Sequence, residues 1–224
     1  MAPSAKELFA VAQSGQSIED QLALLAPVEH VQPRDEEWAE AMASLVWMYR
    51  ATNQEDHALR CANLVVSTQP HGLVWREQCV VLRSNIAIRN RDPVDTAEVI
   101  HAVKILATAG ELEAASEGAD VLTDAYCAAK QFVEAEYFAR EELNYVQRMR
   151  SEYHFDDYCF PPVARCLQTI AWIQAAAGQH EAARQTLALA LDELAQPTKA
   201  GQGGTMQLLR RRVQERLNAL NSPT

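Results

Sequence analysis

The residues best suited to chemistry lie in 153–160, where four aromatic side chains are interspersed with an imidazole, two carboxylates and a thiol. Nitrogen, oxygen and sulfur donors of these kinds can hold a transition metal. The rings could instead line a ligand-binding loop. A third interpretation is a long loop packed back onto the protein, with Asp156 or Asp157 as a helix cap. We favour the packed loop, expect no metal, and keep four candidate binding residues in this loop: Tyr153, Phe155, Tyr158 and Phe160.

The other candidate motifs for catalysis are incomplete. His180 and Glu181 begin a segment similar to a zinc-protease helix, but Arg184 stands where the second histidine is required. No Gly-rich phosphate loop, Ser–His–Asp order or catalytic cysteine signature is recognisable. We therefore expect a protein that is not an enzyme, with no catalytic residues and no cofactor.

The charge of the chain favours basic partners. Acidic residues number 30 and basic residues 20, which gives a formal net charge of -10. A protein of this charge repels phosphate backbones, so we expect no nucleic-acid partner. The arginines at 210–212 are expected on a solvated helix face. Apolar runs are too short to span a membrane, and the first residues lack a secretory signal, so a cytoplasmic protein is expected.

Helical periodicity runs through almost the whole chain, whereas the alternation typical of strands is nearly absent. Glycine and proline lie mainly between the periodic segments. Asp92 is predicted as an N-cap and Pro93 as the first residue of its helix. The predicted helices are 4–14 and 17–26, 35–52 and 55–68, 73–90 and 93–108, 111–129 and 132–150, 162–177 and 180–195, and finally 205–220.

These helices form pairs that recur along the chain. A small residue opens the second helix of four pairs, at intervals of about 40 residues: Ala58, Ala97, Ala135 and Ala183. The last interval is longer by about the length of the 151–161 insertion. A recurrence of this kind is typical of an α-solenoid, in which stacked helix pairs share one continuous core.

Residues 42–70 resemble a tetratricopeptide repeat. The matching positions are Met42, Leu45, Val46, Tyr49, Ala58, Ala62 and Pro70, and parts of the pattern return as Leu122, Tyr126 and Ala135, and as Ile170, Ala171, Gly178, Ala183, Leu187 and Ala190. Val46 and Gln174 depart from the usual small residue and tyrosine. The resemblance implies an all-α, right-handed superhelix of stacked antiparallel helix pairs. We expect a single domain over 1–224, with about five pairs clearest in 35–195, a linker at 196–204 and a capping helix at 205–220.

If this alignment of the repeats is correct, one set of side chains faces the concave surface, where similar repeat proteins bind their ligands. Carboxylates at i, i+3 and i+7 in this set would form an acidic strip on one helix face. The set comprises Trp47, Arg50, Arg89, Glu117, Asp120, Asp124, Gln168 and Trp172. We expect an adaptor that binds a protein or peptide, with a basic segment as the favoured partner. The alternative is a regulatory module that senses a small molecule or signalling peptide in the groove.

The cysteines provide a first test. There are five, Cys61, Cys79, Cys127, Cys159 and Cys166, and no two have Cys-x-x-Cys spacing. An odd number without that spacing favours reduced thiols. Thiol titration of freshly purified protein, denatured without reductant, should therefore detect all five; a count of one or three would contradict this expectation.

Overall fold

The structure is a computed structural model that describes residues 3–15, 17–153, 162–195 and 204–221. Helices cover 84% of this part of the chain, and no strand occurs in it, so the all-α prediction is confirmed. The α-helices are α1 (Ala5–Ala12), α2 (Ile18–Leu25), α3 (Glu36–Ala51), α4 (Glu55–Thr68), α5 (Val74–Asn90), α6 (Thr96–Ala109), α7 (Leu112–Ala128), α8 (Phe132–Tyr153), α9 (Pro162–Ala176), α10 (His180–Ala195) and α11 (Gly204–Asn221).

The chain divides into two compact units, Met1–Ala114 and Ala115–Thr224. In the first unit each helix from α1 to α6 contacts the next, and α3 also contacts α5. In the second unit α9 packs against both α8 and α10, and α10 packs against α11. Successive packing of this kind is compatible with a helical repeat fold. None of the described helices is both long enough and apolar enough to cross a membrane.

The segment between the first two predicted pairs contains a short helical turn of its own. Residues Ala26–His30 form a 3₁₀ turn with Pro27 near its start. The indole N–H of Trp38, a fully buried residue of α3, donates a hydrogen bond of 3.0 Å to the backbone oxygen of Val28. Because a buried indole needs a hydrogen-bond acceptor, this contact holds the turn against α3.

The residues that carry the repeat resemblance in α3 and α4 are core residues. Met42, Leu45 and Val46 are fully buried, and Tyr49 is 7% exposed. The hydroxyl of Tyr49 donates to a carboxylate oxygen of Glu29 at 3.2 Å. Burial and the nearby carboxylate raise the pKa of Tyr49 to about 12. The apolar stripe of α3 therefore faces its neighbours as the resemblance predicts.

Three of the four alanines predicted to open the second helix of a pair lie at the same position of their helices. Ala58, Ala135 and Ala183 are each the fourth residue of their helix, and all are fully buried. Ala97 does not belong with them: it is exposed, and Val99 is the buried fourth residue of α6. The alignment of this pair was wrong by two residues.

The error at Ala97 has a local cause. We predicted that α6 begins at Pro93 with Asp92 as its cap, but the helix begins at Thr96. Asp95 is the N-cap, and one of its carboxylate oxygens accepts hydrogen bonds from the backbone N–H groups of Ala97 and Glu98, both at 3.1 Å. Two aspartates can each cap a helix, and the sequence alone favoured the one before proline.

The structure gives a physical reason for Gln174, which stands where the repeat pattern usually has tyrosine. Gln174 is buried, and its side chain donates to a carboxylate oxygen of Glu136 at 2.8 Å and accepts from the hydroxyl of Thr186 at 2.8 Å. This side chain therefore links α9 to α8 and α10 by hydrogen bonds. A buried amide with both its groups satisfied can replace the packing of a tyrosine ring.

The last helix, α11, packs one face against the helices before it. Val213 is fully buried, and Leu209, Leu217 and Leu220 pack against the same core of α9 and α10. The arginines at 210–212 are exposed, as expected for a solvated outer face. Leu208, by contrast, is 49% exposed and does not join this core.

The described cysteines agree with the prediction of free thiols. Cys61, Cys79, Cys127 and Cys166 form no disulfide. Burial raises the pKa of Cys61 and of Cys79 to about 12, and that of Cys127 to about 11. Thiols with such pKa values are poor nucleophiles at neutral pH, because the thiolate is the reactive form.

Neighbouring aromatic residues on α3 should differ sharply in their contribution to stability. Trp47 is 54% exposed, whereas Tyr49 is buried. Replacing Tyr49 by Ala should lower the free energy of unfolding by about 3–5 kcal/mol, because it leaves a cavity, and Trp47→Ala should cost about 1 kcal/mol or less. Chemical denaturation measures both, and Tyr49→Phe, which removes only the hydroxyl, serves as a control. Equal losses for the two alanine variants would show that the assignment of the faces is wrong.

Candidate functional site

The predicted acidic strip of α7 and two predicted residues of α9 belong to the second unit. Glu117, Asp120 and Asp124 share one face of α7, since they are spaced i, i+3 and i+7. Arg165 lies close enough to Asp120 and Asp124 for its charge to favour the ionised form of both carboxyls. Arg165 shares a face of α9 with two predicted residues at the same spacing. We call the combined surface the α7/α9 face: Glu117, Asp120, Asp124, Arg165, Gln168 and Trp172.

Asp120 and Asp124 are destabilised in their ionised form. Loss of hydration raises the pKa of Asp120, and the charge of Arg165 only partly opposes this rise. The pKa of Asp124 is also raised, first by loss of hydration and then by repulsion from Asp120. Like charges one turn apart on a helix repel each other. An additional positive charge at this surface would relieve that repulsion.

A carboxyl that sequence analysis did not single out lies next to the strip. Glu142 of α8 is only 9% exposed, and burial together with repulsion from Asp120 raises its pKa to about 7. The thiol of Cys166 on α9 donates a hydrogen bond to this carboxyl, and Arg165 also favours its ionised form. Burial and the adjacent Glu142 raise the pKa of Cys166 as well. Helical spacing on α7 could not reveal Glu142, which comes from another helix.

An exposed indole completes the α7/α9 face. Trp172 is 48% exposed, although Ile170 and Ile173 beside it are buried in the core formed with α8. Gln168, one turn earlier on α9, is half-buried. A large aromatic ring beside carboxylates can hold the aliphatic part of a lysine or arginine while the carboxylates bind its charge.

The predicted residues of the first unit form a separate surface on α3 and α5. Trp47 is exposed, and the Arg50 guanidinium donates to the side-chain oxygen of Asn85 at 3.5 Å. Arg89 forms an ion pair of 2.8 Å with Glu55, the first residue of α4. Both ion-pair partners are well exposed, so this bridge adds little stability. The surface combines an indole with arginines and lacks the acidic strip of the second unit.

Most of the candidate binding loop lies outside the described residues. Phe155, Tyr158 and Phe160 lie outside the described residues. Tyr153 ends α8, and only its backbone is described.

The first unit also contains an open depression that the sequence did not predict. It has a volume of 1220 Å³, and its lining includes Glu29, His30, Arg34, Arg60 and Cys61. Arg60 donates to Glu29 at 3.0 Å, and the Arg34 guanidinium lies 5.3 Å from the centre of the Trp38 ring. Its residues come from α2, the 3₁₀ turn and the segment after it, α4 and α5, so no local motif marks it. The depression is open to solvent, unlike the enclosed pockets typical of small-molecule sites.

Neither a protein-family model nor a curated protein sequence matches the chain. The interpretation of both surfaces therefore depends on their own geometry and charge.

The raised pKa of Glu142 should make stability depend on pH. Its folded value is about 7 against an ordinary value of 4.5, so the folded protein retains a proton that the unfolded chain releases. The stabilising contribution is complete below about pH 4.5 and is lost as the pH rises through about 7. We expect the free energy of unfolding to fall by on the order of 2–3 kcal/mol across this range from this group.

Urea denaturation of Glu142→Gln at several pH values tests the assignment. The variant should lose most of this decline, because its amide does not ionise. Glu134→Gln, which removes an exposed carboxylate from the same helix, should keep the decline of the wild type. An identical pH dependence in the wild type and Glu142→Gln would contradict the assignment.

Proposed function

We propose that this protein is a non-enzymatic adaptor that binds a basic peptide, or a basic segment of a partner protein, on the α7/α9 face. The supporting observation is the combination of Asp120, Asp124 and the buried Glu142 with the exposed ring of Trp172. The proposal includes a right-handed, tetratricopeptide-repeat-like stacking of the helix pairs in a single domain, with the concave side as the binding surface, and a cytoplasmic location.

The electrostatics support a cationic ligand. The raised pKa values mean that the folded protein holds these carboxyls in an environment that disfavours their charge. A lysine or arginine arriving beside them stabilises the ionised forms, so part of the unfavourable repulsion is converted into binding affinity. Because Glu142 has a pKa of about 7, binding near neutral pH should release protons from it.

The exposed indole supports a peptide rather than a lone cation. Aromatic residues at the centre of interfaces provide much of the binding energy, whereas exposed charges mainly provide orientation and a fast association rate. Trp172 offers an apolar anchor for a side chain next to the charged one. An amphipathic basic segment would use both features together.

Fluorescence anisotropy with the full chain and short labelled peptides rich in Lys and Arg tests this proposal. We expect saturable binding that weakens as salt is added, since exposed charges are screened. The Asp120→Asn, Asp124→Asn double variant should bind at least about tenfold more weakly. Trp172→Ala should cost about 2 kcal/mol, or about 30-fold.

Matched substitutions elsewhere in the second unit serve as controls. Asp192→Asn removes an exposed carboxylate of α10, and Tyr137→Ala removes an aromatic side chain of α8 that is 58% exposed. Both controls should bind the peptides like the wild type. Equal effects of the controls and the α7/α9 variants, or equal binding of acidic peptides, would refute the proposed site.

A further inference from the structure

Two histidines and a glutamate meet in the first unit at the start of α5. His71 lies in the turn before this helix, Glu77 is in its first turn, and His101 is on α6. One potential ligand atom from each residue lies within 4.8 Å of those of the other two. The ring centres of the histidines are 6.1 Å apart, in an edge-on arrangement. We propose that this triad binds one divalent transition-metal ion of the zinc class.

The carboxylate of the triad is already oriented. Glu77 is fully buried, and the backbone N–H of Gly72 donates to its Oε1 at 2.8 Å. Arg76 donates to Oε1 and Oε2 at 3.0 and 3.1 Å. An ionised carboxylate accepts about four hydrogen bonds or metal bonds in total, so these contacts leave capacity for a cation. Partners of this kind orient metal-binding carboxylates.

Further contacts hold the orienting arginine. Arg76 is itself buried, and its other terminal nitrogen donates to Glu98 at 2.9 Å. Glu98 also forms an ion pair with Arg83, so a network of ion pairs next to the triad connects α5 to α6. Buried charges arranged in this way resist rearrangement, because moving one leaves another unpaired. The carboxylate is therefore fixed while the imidazoles remain adjustable.

The turn before α5 brings His71 to this carboxylate. Gly72 has a φ of +91°, a conformation that glycine adopts without strain. This conformation directs the Gly72 N–H at Glu77 and keeps the adjacent histidine at the end of the helix. The packing of α6 against α5 brings His101 close to His71 and Glu77.

The separation of the donors is compatible with a site whose metal is bound by small ring movements. Zinc–ligand bonds of about 2.0–2.2 Å in a tetrahedron place donor atoms roughly 3.3 Å apart. Since the donor atoms are at most 4.8 Å apart, they need to approach one another by no more than about 1.5 Å. Because both histidines are exposed, rotation of their side chains can supply it without moving the buried glutamate. Two imidazoles favour zinc, cobalt, nickel or copper over magnesium and calcium, and three ligands leave one position open.

A calorimetric titration of the metal-free full chain with Zn²⁺ alone tests the site. We expect one ion per chain. His71→Ala and His101→Ala should each weaken binding by at least about tenfold, and the double variant should show no binding at this site. His180→Ala removes an exposed histidine from the other unit and should leave the affinity unchanged.

Absorption spectra with Co²⁺ identify the donor atoms. Nitrogen and oxygen ligation in a four-coordinate site gives visible bands, whereas a cysteine ligand adds an intense near-ultraviolet band that this triad should not give. Zn²⁺ should also raise the melting temperature of the wild type but not that of the double histidine variant, since binding stabilises only the folded state. Unchanged affinity in the double variant, a thiolate band, or no saturable binding by the wild type would each overturn the proposal.

Discussion

Every helix in this chain depends on its neighbours, because an amphipathic helix cannot bury its apolar stripe alone. Small residues let helices approach each other, and Ala58, Ala135 and Ala183 are fully buried at the fourth position of their helices. Packing on one side leaves the other side of each helix for polar and aromatic residues. Trp47 and Trp172 lie on such sides, in separate units.

Buried charge serves different purposes in the two units. In the first, Arg76 and Glu77 form an ion pair, and Arg76 also pairs with Glu98. These contacts fix the Glu77 carboxylate beside two imidazoles. In the second, Asp120 and Glu142 repel each other, and Arg165 offsets this only in part. A compensated pair gives fixed geometry, whereas an incompletely compensated cluster attracts a cation. The proposed metal site and the proposed peptide site follow from this difference.

The periodicity of the sequence predicted the helices closely because apolar residues recur at helical spacing and glycine or proline lies mainly between the periodic segments. The bounds of α4 match the prediction, whereas α6 begins later because Asp95, rather than Asp92, caps it. The burial of the two tyrosines that match the repeat pattern differs. Tyr49 is buried as expected, but Tyr126 is only half-buried and stacks on Phe138 with ring centres 5.5 Å apart. The repeat pattern specifies which way a residue points and not how completely its neighbours cover it.

The sequence by itself determined the helical class, the acidic charge and the outward direction of the two tryptophans, since these depend on composition and on a period of 3.6 residues. Only the tertiary structure decided which side chains of different helices meet. Glu142 joins Asp120 through the packing of different helices. His101 reaches His71 and Glu77 because α6 packs on α5. Local spacing carries no information about such meetings, because the contacts between helices are set by the packing of whole faces.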